Sequence, residues 1–126
     1  MASKANLMID MMFHTADQTH LWHLQTKSYA LHMALGQYYD MIRENADRLA
    51  EAWMGYTGER VNAVGKMPLQ PFANNDQISK HLMMVCKYCN DLYNELKSKE
   101  SAEHILAILD DIKEGIAKTK YLLTLS

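Results

Sequence analysis

Both prolines of the chain, Pro68 and Pro71, fall in one stretch, TGERVNAVGKMPLQPFANN (residues 57–75), through which no apolar periodicity runs. A residue without an N–H interrupts regular hydrogen-bonded structure, so this stretch is a connection between two halves. Its length is the main constraint on how those halves assemble. About 19 residues reach on the order of 60 Å when extended, whereas a 20-residue helix is only about 30 Å long. The connection can therefore run the full length of a helical bundle.

Each half reads as a helical hairpin. From Ile78 the apolar positions Leu82, Val85, Cys86, Cys89, Leu92, Tyr93 and Leu96 alternate in steps of three and four, keeping one face against its neighbours. Asn74, Asn75 and Asp76 offer N-caps before this helix, and Ser98 and Ser101 offer a break after it. A further helix is predicted from about Ala102 to Leu123, through Ile105, Ile108, Leu109, Ile112 and Ile116. Upstream, Leu31, Leu35, Tyr38, Ile42, Leu49 and Trp53 predict a helix over Ser28 to Tyr56, ended by Gly55 and Gly58. A weaker pattern, Leu7, Met8, Met11, Met12, Leu21 and Trp22, predicts a first helix over Lys4 to Leu24. Short turns make each pair antiparallel. Two antiparallel hairpins joined by one long crossover is the topology of an all-α, ferritin-like four-helix bundle, and 126 residues suit one such domain, 1–126.

Composition narrows the function classes. Hydrophobic residues at 48% and charged residues at 22% describe a globular chain rather than a disordered one. A net charge of -2 gives no broad basic field for a phosphate backbone, so DNA binding is not expected. No apolar run is long enough to cross a bilayer and no secretory leader is visible, so the expectation is a cytoplasmic protein without a membrane partner. Two cysteines, Cys86 and Cys89, are too few for a disulfide framework. Their CxxC falls on the apolar seam, where the expected role is core packing rather than zinc or redox chemistry. There is no phosphate-binding glycine loop and no nucleophile elbow.

At about 100° per residue, Asp40, Glu44, Asp47 and Glu51 form a narrow stripe opposite the apolar face of the second helix, with His32 near its edge. One helix face cannot close a coordination sphere, so a metal here would need ligands from a second subunit. The plain reading is a solvated surface on which Arg43 and Arg48 pair with these acids. His81 and His104 stand alone on their helices and are expected at the surface or as ordinary hydrogen-bond acceptors. The 10 methionines, concentrated in MIDMM and HLMMV, fit core gaps first and an adaptable contact surface second.

The segment THLWHLQTKSYALHMALGQYYDMIRENADRLAEAWMGYTG, Thr19 to Gly58, resembles the signature region of Dps-type miniferritins. His20 and His32 stand at that family's twelve-residue histidine spacing, and Asp47 and Glu51 in DRLAE match its D-x-x-x-E acids. The resemblance implies a homo-oligomer in which His20 and His32 of one subunit and Asp47 and Glu51 of a twofold-related one bind iron and oxidise it. One position departs. The family carries an acid four residues after the second histidine, where this chain has Gly36, with Asp40 a turn further on and His23 as substitute candidates. LLTLS and DDIKEGIAKTKYLL also resemble short ferritin-like proteins of bacteriophages. No Glu-x-x-His pair occurs, which argues against ferritins that hold two irons within one bundle. The rival expectation is a non-catalytic, oligomeric ferritin-like protein that binds a host or partner macromolecule.

Overall fold

The structure, a computed structural model, describes residues 3–63 and 65–126. Val64, within the predicted connection, and Met1 and Ala2 lie outside the described residues. The helices are α1 (Lys4–Gln25), α2 (Tyr29–Thr57), α3 (Asn75–Leu96) and α4 (Glu103–Leu123).

Their ends follow from local chemistry. The first N–H groups of a helix have no partner within it, and the side chains of Ser3, Ser28 and Asn74 accept from Asn6, Leu31 and Gln77 to cap α1, α2 and α3. Gly58 ends α2 with φ 77°, a left-handed value that glycine adopts without steric cost. Ala102 gives α4 no side-chain cap, and the chain enters it through Ser101 at φ 62°.

α1 packs on α2 and α3, and α4 packs on the same two, so α2 and α3 lie diagonally across the bundle. Tyr56 at the end of α2 donates to the Glu100 carbonyl in the α3–α4 turn, and Asn75 at the start of α3 bonds Ser126 just past α4. Thus α2 and α3 run parallel, and the connection between them returns along the bundle as its length predicted. It travels beside α1. Asn6 and Asp10 accept from the N–H groups of Asn62 and Gly65. Gln18 both accepts from the Gln70 N–H and donates to its carbonyl, Trp22 donates to that same carbonyl, and Gln25 accepts from the Phe72 N–H. A backbone that makes no helix of its own is satisfied by a ladder of α1 side chains.

The core follows the apolar seams: Met8, Ile9, Leu35, Ile42, Leu82, Val85, Leu109 and Ile112 are all fully buried. Met11 and Met12 join them, while Met83 and Met84 are exposed, so the methionines divide between core and surface. Leu7, expected on the apolar face of α1, is 39% exposed, because the buried stripe of that helix runs through Ala5, Ile9, Thr15 and Ala16 instead. Gly115 lets α2 and α4 approach closely, since a Cβ there would collide with the Met41 side chain.

Candidate functional site at the first helical turn

The short turn from Thr26 to Ser28 folds the end of α1 against the start of α2 and brings His20, His23 and His32 together. His23 and His32 stack with ring centres 3.6 Å apart and planes 18° apart. Each Nδ1 reaches the other residue's main-chain carbonyl, at 2.6 Å from His23 to His32 and 2.8 Å in return. A carbonyl only accepts, so both Nδ1 atoms carry hydrogen, and in the neutral ring the lone pair sits on Nε2. The His23 carbonyl is one of the last four of α1 and lacks a partner in the helix, so the His32 ring also caps α1.

His20 lies on the opposite side of His23, with centres 5.9 Å apart and planes at 66°. Its ring stacks on Tyr39 at 4.3 Å. The Arg43 guanidinium covers Tyr39 at 5.0 Å and pairs with Asp17 of α1 at 3.2 Å. All three histidines are half-buried, open to solvent yet fixed in orientation by these contacts.

Gly36 explains the departure at its position. A Cβ there would stand 3.2 Å from His23 Cε1 and 3.4 Å from its Nδ1, so the His23 ring occupies the space a side chain would need. Asp40 is exposed and no substitute within this cluster.

Asp47 and Glu51 are exposed on α2, as the stripe with Asp40 and Glu44 predicts. They are not brought to the histidines. Fifteen residues separate His32 from Asp47, about 22 Å along the helix and about 60° around it. Among the described residues, no three His, Cys, Asp or Glu side chains of one chain converge on a metal position. The local pairing expected for the arginines does not occur. Arg43 turns to Asp17 on α1 and Arg48 to Asp111 on α4, at 3.1 Å, because flanking helices place carboxylates nearer than the stripe does. Asp47 instead borders a groove of about 380 Å³ between α1 and α2, beside Phe13 and Arg43.

On the other side of α1 a second polar group lies inside the bundle. His81 Nε2 meets Thr15 Oγ1 at 2.6 Å, and the same hydroxyl meets the Tyr38 hydroxyl at 3.0 Å. His81 is buried, so of the two placements expected for it the hydrogen-bonded one is correct, and His104 is the exposed one. Burial pushes the His81 imidazole down to about 4, with nearby His14 a smaller cause, and it raises the Tyr38 phenol against the opposing Thr15 bond. The sequence signal was available: His81 lies one turn from both Ile78 and Val85, on the edge of the apolar seam. Cys89 is a core residue whose thiol, pushed up to about 12 mainly by burial, donates to the Leu109 carbonyl, and Cys86 is half-buried beside it.

These features define a four-helix bundle with a solvent-accessible histidine cluster at one hairpin turn. No helix among the described residues is long and apolar enough to cross a membrane. Residues 23–123 match the family of unknown function DUF5856, and the chain belongs to it. The matched span holds His23, His32, Asp47 and Glu51 and begins after His20. The chain is also similar to the uncharacterized 14.6 kDa protein of the mobD–ri intergenic region of Enterobacteria phage T4. The two are 27% identical over 127 residues, which is 98% of this chain and 90% of that protein. No solved structure matches.

Proposed function

We propose that the chain is a subunit of a Dps-like miniferritin, in which the α1–α2 hairpins of two twofold-related copies face each other. Iron is then held by His20 and His32 of one copy and by Asp47 and Glu51 of the other. The observation that carries this reading is the separation just described: half-buried imidazoles at one end of the hairpin, and acids without an ion-pair partner among the described residues about 22 Å away. Two hairpins laid antiparallel bring each group to its complement. Imidazole with carboxylate is a donor set suited to ferrous iron, the acids balancing its charge while oxygen or peroxide oxidises it as substrate. The likeness to a phage T4 protein supports a phage-encoded protein acting in the host cytoplasm.

A second reading has its own observation. His23 fills the place beside Gly36, so the acid of the miniferritin pattern is missing and its space is taken. That favours a homo-oligomer without iron chemistry, serving as an interaction protein. Exposed Phe13, Leu24, Tyr29 and Met33 on the first hairpin suit such contacts.

Anaerobic titration with ferrous iron, then oxidant, followed by absorbance, separates the two. The iron reading expects a saturable step that vanishes in His32→Ala and in Glu51→Ala. Binding no greater than buffer alone leaves the interaction reading. A strictly monomeric mass in solution defeats both.

A further inference from the structure

His20 and His23 sit one helical turn apart on α1, their rings 5.9 Å apart and steeply inclined. The His23 Nδ1 is committed to the His32 carbonyl, so its lone pair is on Nε2. A main-chain carbonyl on the far ring nitrogen is the arrangement that orients histidines bound to metals. His20 is held face to face by the Tyr39 ring, and no hydrogen bond to its ring nitrogens is found among the described residues.

Geometry then selects the pair. A metal bound to one nitrogen of each of two imidazoles, at about 2.0–2.1 Å, puts ring centres roughly 4.5 Å apart at a right angle and roughly 5.2 Å apart at a tetrahedral one. The 5.9 Å of His20 and His23 exceeds the tetrahedral spacing by less than about 1 Å, which a small side-chain rotation closes. The 3.6 Å of His23 and His32 lies well below either spacing, and near-parallel rings do not aim their nitrogens at one point. We infer that His20 and His23 form a two-imidazole metal chelate contained in a single chain, taking a late first-row divalent ion such as Ni²⁺, Cu²⁺ or Zn²⁺. Two neutral nitrogens favour these ions over magnesium or calcium, and water fills the remaining positions. The chelate shares His20 with the proposed iron site but needs neither the acids nor a second copy.

The test is titration of tag-free protein with Ni²⁺ by calorimetry, together with the electron paramagnetic resonance spectrum of the Cu²⁺ complex. One ion per chain and two coupled imidazole nitrogens are expected. His20→Asn and His23→Asn should each weaken Ni²⁺ binding at least tenfold and reduce the coupled nitrogens to one. Asparagine at 23 keeps an N–H for the His32 carbonyl, and circular dichroism checks that the helices remain. The Asp47→Asn/Glu51→Gln double variant should bind Ni²⁺ as the parent does, even though it removes the proposed iron site. Unchanged binding in a folded His23→Asn protein overturns the chelate, as does loss of Ni²⁺ in the double variant. Loss of ferrous binding alone in that variant leaves the chelate standing and speaks only to the iron reading.

Discussion

The two sides of α1 use histidine in opposite ways. Toward α3, His81 is buried against Thr15, His14 stands 5.8 Å away, and the imidazole is spent on a core hydrogen bond. Toward α2, His20, His23 and His32 are half-buried, with Nδ1 of the stacked pair fixed by main-chain carbonyls and Nε2 without a hydrogen bond among the described residues. The same side chain is structural where it is dry and already bonded, and a ligand candidate where one nitrogen is held and the other is open.

The largest expected effect breaks the dry side. His81→Ala removes the partner of Thr15 and leaves a cavity, so it should cost about 3 kcal/mol in denaturant unfolding while leaving Ni²⁺ binding unchanged. The same residue sets a pH dependence. Its imidazole is near 4 when folded against 6.5 when unfolded, so the unfolded chain binds more protons between these values. Stability should therefore fall as pH drops from 6.5 to 4, by up to about 3 kcal/mol from this group. His81→Asn should flatten that part of the profile, and an unaltered profile would mean the imidazole takes up its proton as readily in the fold as in the unfolded chain.

Next comes the ladder on the same side. Gln18→Ala breaks both bonds to Gln70, costs about 2 kcal/mol, and should speed amide exchange at Gln70 more than at Leu82. Equal exchange at Gln70 in variant and parent would show that apolar contacts hold the connection.

On the open side the effects are smaller. Gly55→Ala, with nothing within 4 Å of the new Cβ, should gain about 0.5–1 kcal/mol from helix propensity. Gly36→Ala should gain less, because the His23 ring must shift, and should move the His23 and His32 ring resonances in NMR. A larger gain at 36 than at 55 would place the His23 ring elsewhere. Smallest of all, Arg43→Ala removes a pair whose partners are 44% and 67% exposed, and should change stability by about 0.5 kcal/mol or less, with the weak effect fading at high salt.

Much of the fold was legible because it is written in local periods. Steps of three and four marked α2, α3 and α4 within a residue or two, and the prolines marked the connection. The candidate site was legible only in part. His20 and His32 were marked by spacing, but the spacing could not tell that His23 would lie between them or that Gly36 would make room for it. Nothing in the local pattern marks Asn6, Asp10, Gln18 and Gln25 as the residues that bond the connection, because their partners lie between 47 and 56 residues away in the chain.

By itself, then, the sequence determined four amphipathic helices, two tight turns and a connection long enough to return along the bundle, since each depends on neighbours within a turn or two of helix. Which arginine meets which acid, which histidine is dry, and which nitrogen stays open were decided only by the packing. Those outcomes depend on distances between segments that hydrophobic burial brings together and that no local pattern encodes.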